Sequence, residues 1–139
     1  MYLLDTNIIS ELRKAQNQRA DKHVIAWSNS VDVSELFISA VTILELEKGI
    51  LQIERKDAKQ GKALRSWFEE QVIPAFTGKT LAIDTDVALK CVTLHVPKPK
   101  SERDALIAAT AIVHNMTVVT RNTKDFENSG VLLLNPWHP

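Results

Sequence analysis

The chain opens on an apolar tripeptide, Tyr2-Leu3-Leu4, that is too short for a helix and stops at Asp5. Thr6 and Asn7 follow, and Ile8, Ile9 and Leu12 then recur at helical spacing. This pattern reads as a buried strand that turns directly into a helix, with Asp5 at the junction. Two uses of that carboxylate stay open on this stretch alone. It caps the helix, the commoner role for Asp before a first turn, or it is a functional acid, because open α/β sheets place ligands at the carboxyl ends of their strands.

The rest of the chain alternates in the same way. Helices are expected from Thr6 to about Ala15, and then around Val24, Ile25 and Trp27 as far as Ser30. Glu35–Ser39 reads as the second strand, and a long helix carrying Ile43, Leu44, Leu46, Ile50 and Ile53 runs on to about residue 57. The mostly charged stretch 54–62, with Gly61, reads as a break before a second amphipathic helix, Ala63 to about Ala75. Together these two helices predict a hairpin that projects from the sheet. Thr80–Ile83 is the third strand, and Asp84 and Asp86 cap a helix that ends at Leu94. Pro97 and Pro99 make 96–102 a loop. The run from Arg103 to His114 is apolar nearly all round, which marks a buried helix. Thr117–Thr120 is β-branched throughout and predicts a central strand. Arg121–Phe126 turns, and Val131–Leu134 is the last strand. Strands alternating with helices imply right-handed parallel crossovers, hence an α/β fold: a three-layer α/β/α sandwich around a mostly parallel sheet, in one domain over residues 1–139.

Charge narrows the function. Lysines and arginines equal aspartates and glutamates, 17 each, so the chain lacks the basic excess of a non-specific nucleic-acid coat. Its one cysteine, Cys91, excludes an internal disulfide and reads as a small buried hydrophobe. The histidines 23, 95, 114 and 138 show no metal-ligand spacing and read as structural or surface groups. No apolar run approaches the ~20 residues of a membrane span, so a cytoplasmic protein without a membrane partner is expected.

The acids carry the chemistry. In a parallel sheet, helices begin on the edge where strands end. Asp5 ends strand one, Glu45 lies one turn into the helix after strand two, and Asn122 and Asp125 follow the strand Thr117–Thr120. Asp104 occupies the first turn of the helix feeding that strand, which carries it back to the same edge. Residues separated by about forty and sixty positions thus converge on one rim. Periodicity leaves Glu45 and Glu47 as competitors, about 200° apart on their helix. Taken singly, each acid reads as a cap or a solvated charge. Gathered together they repel, and a hard divalent cation would neutralise them. Oxygen-only ligands favour Mg²⁺ or Mn²⁺ and suit phosphodiester hydrolysis.

Leu4-Asp-Thr-Asn-Ile-Ile-Ser-Glu11, Glu45-Leu46 with Gly49, Asp104-Ala-Leu-Ile-Ala-Ala-Thr110 and Thr120-Arg-Asn-Thr-Lys-Asp-Phe126 occur in the order and spacing of four motifs. They resemble those of the PIN-domain ribonucleases, and within them the VapC-type toxins of bacterial type II toxin–antitoxin pairs. The tail Asn135-Pro-Trp-His138 is similar to the FitB branch. The resemblance implies a Mg²⁺-dependent endoribonuclease with Asp5, Glu45 and Asp104 as metal ligands and Thr6 as an accessory contact, and it selects Glu45 over Glu47. It also implies a homodimer that binds a cognate antitoxin, with higher-order assembly on operator DNA read by the antitoxin. One position departs from the pattern. Where this branch often carries an acid, the chain has Asn122, which offers a carbonyl oxygen without charge; Asp125 is the other candidate to complete the site. The basic residues Arg55, Lys56, Lys59, Lys62 and Arg65, and the loop Lys98–Arg103, have two open readings, contacts to RNA phosphates or ordinary solvated charge. Two other classes stay open: a catalytically weak binding module acting as a co-repressor partner, and a phosphatase-like hydrolase.

Overall fold

The computed structural model describes residues 1–138. Five strands, β1 (Tyr2–Leu4), β2 (Leu36–Ser39), β3 (Thr80–Leu81), β4 (Thr117–Val119) and β5 (Leu133–Leu134), pair in parallel in the order β3-β2-β1-β4-β5. Leu3 lies beside Phe37 on one side and Val118 on the other, so the opening strand is the middle of the sheet. Successive residues of a strand point to opposite faces. Leu3 accordingly packs with Ile107, Ala108, Ala111, Val118 and Phe126, while Leu4 packs with Ile8, Val24, Ile38, Ile50 and Val72. Both leucines are buried, and one apolar core lies on each face. That is the three-layer sandwich the alternation predicts.

The helices are α1 (Thr6–Arg13), α2 (Lys22–Ser30), α3 (Ala40–Lys56), α4 (Ala58–Trp67), α5 (Ile73–Ala75), α6 (Thr85–Leu94) and α7 (Glu102–Val113). Those that follow strands start under side-chain caps at the sheet's carboxyl edge: Ser39 Oγ accepts from Val41 N at 3.0 Å, and Asp84 from Val87 N at 3.0 Å. Helix α7 is buried through Ala105, Ile107, Ala108, Ala109, Thr110 and Ala111, as its all-round apolarity requires. No helix among the described residues is long and apolar enough to cross a membrane.

Several boundaries differ from expectation. Helix α1 ends at Arg13 and passes into a 3₁₀ turn, Lys14–Asn17, while the edge strands β3 and β5 are two residues each. The larger correction concerns 54–62, which is helical except at Asp57. Asp57 closes α3 and caps α4, accepting from Gln60 N at 3.1 Å. Gly61 is not a breaker there. A Cβ on it would lie 2.7 Å from Glu54 Cα, so its missing side chain lets α3 and α4 touch. Arg65 then joins the pair, reaching Glu47 at 2.7 and 2.6 Å and Glu54 at 3.1 Å. A π-helical turn, Phe68–Val72, follows α4 and buries both its end residues, so the base of the hairpin belongs to the core. At the other end of the chain Trp137 is buried, with the Arg121 guanidinium 5.3 Å over its ring.

Candidate functional site

Because β1 is sandwiched, Asp5 emerges at the centre of the carboxyl edge. Its amide donates to Val119 O at 2.9 Å, and its side chain is fully buried. A buried carboxylate needs hydrogen-bond partners, and Asp5 has them. Oδ1 accepts from Thr6 N at 2.7 Å, so the residue caps α1 after all, and Oδ2 accepts from Thr120 Oγ1 at 2.7 Å. The cap and the functional reading are compatible, because one oxygen still faces the rim.

Glu45 reaches the same place from α3. Thr6 Oγ1 donates to Glu45 Oε1 at 2.5 Å and lies 3.2 Å from the Thr42 hydroxyl. Glu47, on the other side of α3, is taken by Arg65, whose hydrogen bonds hold its carboxyl below the usual carboxylate range. Periodicity leaves the two glutamates tied, and this partner separates them. Asp104 arrives from the first turn of α7, where Ser101 Oγ accepts from its amide at 3.4 Å.

One residue binds all three acids. Arg103 donates from Nε to Glu45 Oε2 at 2.6 Å, from Nη1 to Asp104 Oδ1 at 2.7 Å, and from Nη2 to Asp5 Oδ1. Burial alone would lower the pKa of this guanidinium. The hydrogen bond to Glu45, the charge of Asp5 and the bonds to Asp104 and Asp5 outweigh it and raise the pKa above its ordinary value. The sequence offered Arg103 as a loop cation for RNA, but the fold turns it inward. Arg65 is likewise committed to Glu47 and Glu54, while Arg55, Lys56, Lys59 and Lys62 stay exposed.

Asn122 and Asp125 are exposed and make no hydrogen bond to the three acids. Both line a cleft of about 550 Å³ with Thr6, Arg103, Asp104 and Arg121. Sequence reasoning missed Thr120 and Arg103. A hydroxyl ending the strand beside β1 was the signal for Thr120; Arg103 gave none beyond its place next to Asp104. Glu11, also on this cleft, is structural, since its Oε2 accepts from Asp21 N at 2.7 Å and ties α1 to α2.

A second cluster was also missed. Cys91 and His95, four apart on α6, meet Glu102: His95 Nε2 lies 3.2 Å from Oε2, and the Cys91 thiol donates to Oε1 at 3.5 Å. His95 Nδ1, however, accepts from Lys100 N at 3.0 Å. The neutral ring therefore carries its proton on Nε2 and donates it to Glu102, leaving no lone pair for a metal. This is a hydrogen-bonded latch between α6 and α7, and burial pushes the Cys91 thiol pKa up.

The rim, by contrast, suits a hard cation. Its donor set is oxygen-only, and Asp5, Glu45 and Asp104 already converge on a single positive group. A parallel α/β sheet with three carboxylates from three elements gathered at the carboxyl edge of its middle defines the class, an α/β protein with an acidic rim. The PIN domain profile matches residues 2–131. "VapC ribonuclease Y4jK" of Sinorhizobium fredii is 36% identical, with 100% of this chain and 99% of the relative covered. "Toxin FitB" of Neisseria gonorrhoeae is 36% identical, with 99% of each covered. Among solved structures, "FitAcB from Neisseria gonorrhoeae" superposes with a TM-score of 0.90 at 33% identity over 100% of both chains. "FitAB bound to IR36 DNA fragment" gives 0.89, also at 33% identity, over 100% of this chain and 97% of the other. The chain belongs to the PIN-domain family, in its VapC-type, FitB-like branch.

Proposed function

We propose that the chain is a Mg²⁺-dependent endoribonuclease and the toxin of a type II toxin–antitoxin pair, with Mn²⁺ able to replace Mg²⁺. The observation that carries this reading is the convergence of Asp5, Glu45 and Asp104 on one guanidinium at the carboxyl edge of the sheet. Relatives named ribonuclease and toxin support the substrate class. In this reading the three acids hold the cation, and Asn122 or Asp125 completes its surroundings. When bound, the cation supplies the positive charge that phosphodiester hydrolysis requires.

The chain's own groups do the positioning. Thr120 and the Thr6 amide fix Asp5, while the Thr6 hydroxyl fixes Glu45. Preorganised acids of this kind need no rearrangement at the moment of reaction. Asp104 Oδ2 accepts no hydrogen bond from the described residues, and it is the oxygen proposed to orient the attacking water. Exposed cations around the cleft, Lys14 and Arg121, are placed to meet backbone phosphates.

The similarity to a toxin–antitoxin complex from Klebsiella pneumoniae and to FitAB bound to a DNA fragment supports a cognate antitoxin and assembly on operator DNA as this chain's partners; a homodimer belongs to the same proposal. The test is cleavage of structured and unstructured RNA by purified, antitoxin-free protein, with Mg²⁺ and with chelator. Asp5→Asn and Asp104→Asn are expected to abolish a metal-dependent activity. Cleavage that survives in either variant would overturn the assignment.

A further inference from the structure

Arg103 lies at the common focus of the three acids. Each of its three nitrogens is committed to a different carboxylate, one from β1, one from α3 and one from α7. No acid elsewhere among the described residues shares a cation with two others in this way except around Arg65, whose partners lie on the outer hairpin.

We propose that Arg103 is the internal counter-ion of the rim and that a divalent cation must displace it to bind. The inference rests on reading Asp5, Glu45 and Asp104 as metal ligands. Geometry makes the two occupants exclusive. A cation about 2.0–2.1 Å from oxygens of all three carboxylates would need the volume that the guanidinium fills. Charge drives the exchange. Three carboxylates against one guanidinium leave an excess of two negative charges, and a divalent ion in its place leaves one.

Departure is open to Arg103. Its side chain is 30% exposed, and the residue borders two clefts. One, of about 410 Å³, is lined by Val41, Leu44, Glu45 and Leu106; the other is the 550 Å³ cleft of Asp104 and Asn122. Arg103 is common to both, so its withdrawal joins them into one groove past the acids. The resting chain thus offsets part of the charge of its acids and interrupts its groove with the same side chain.

The experiment titrates Mn²⁺ into purified, antitoxin-free protein and follows loss of the free-ion electron paramagnetic resonance signal. Wild type is compared with Arg103→Gln and Arg103→Ala, with circular dichroism as the check of fold. Both variants are expected to bind Mn²⁺ at least ~tenfold more tightly, since one nearby positive charge is gone. A second measurement needs no variant. The Arg103 Nε–H resonance of ¹⁵N-labelled wild type is expected to be protected in chelator and to lose protection at saturating Mg²⁺. Unchanged or weaker Mn²⁺ binding in the variants, or an Nε–H signal indifferent to Mg²⁺, overturns the displacement. Absence of Mn²⁺ binding in wild type and variants alike overturns the metal reading itself, and this inference with it.

Discussion

Thr120 Oγ1 donates a 2.7 Å hydrogen bond to Asp5 Oδ2, joining the ends of β4 and β1 across 115 positions of sequence. The same hydroxyl accepts from Asn7 Nδ2 at 3.2 Å and from Asn122 N at 3.0 Å, which fills its capacity. Both residues of the pair are fully buried. Thr120→Val keeps the shape and strands all three partners. It is expected to lower stability by about 1–3 kcal/mol, the cost of an unsatisfied buried polar group, measured by urea unfolding. A loss within ~0.5 kcal/mol, ordinary for surface positions, would show that Asp5 does not depend on this bond.

Gly61→Ala tests the contact between α3 and α4. In an exposed helix the change would stabilise by up to about 1 kcal/mol. Here the new Cβ meets the Glu54 backbone, and the two helices must separate. Net destabilisation of about 1–3 kcal/mol is expected from overpacking, read as a lower denaturation midpoint. A stabilised variant would mean that the hairpin opens freely.

The parallel sheet was legible because Tyr2-Leu3-Leu4 and Thr117–Val119 are strands buried on both faces, and such strands show as unbroken apolar or β-branched runs. The convergence of Asp5, Asp104 and one glutamate of α3, Glu45 or Glu47, followed from that topology, and the family resemblance selected Glu45. What stayed hidden depends on side-chain partners. Gly61 reads as a breaker in one dimension and as a close contact in three. Arg103 looks like a loop cation until α7 is docked. Periodicity left Glu45 and Glu47 tied, and the physical reason for the choice is Arg65, eighteen residues on from Glu47. His95 also went unread, because its meeting with Cys91 and Glu102 and its bond from the Lys100 amide appear only once α6 and α7 are docked.

Acid titration tests the Arg65 clamp. The Glu47 carboxyl is held below its ordinary value of 4.5 by hydrogen bonds from Arg65. A carboxylate with a lower pKa folded than unfolded adds stability above its unfolded pKa, and this is lost as pH falls through the folded one. Glu47→Gln is therefore expected to lie below wild type in stability at neutral pH and to converge with it below about pH 4.5. The pair is partly exposed, so the gap is small and shrinks with salt. Denaturant midpoints from acidic to neutral pH at low ionic strength give the readout, and parallel curves would exclude the clamp as a source of stability.

Asn122→Asp asks which residue completes the rim. An added carboxylate facing the cleft of Asp104 is expected to tighten Mn²⁺ binding several-fold, about 1 kcal/mol, while Asp125→Asn leaves it unchanged. If Asp125→Asn weakens binding and Asn122→Asp does nothing, Asp125 is the fourth group. Isothermal titration separates the two results.

The central position of β1 also sets an order of events on the ribosome. Asp5 is translated more than a hundred residues before its bed, Val119 and Thr120. Pairing so distant in sequence forms late. A nascent chain therefore carries Asp5 and Glu45 unassembled until β4 has been made. The ribosome that makes this proposed nuclease must pass β4 before the site can exist beside it.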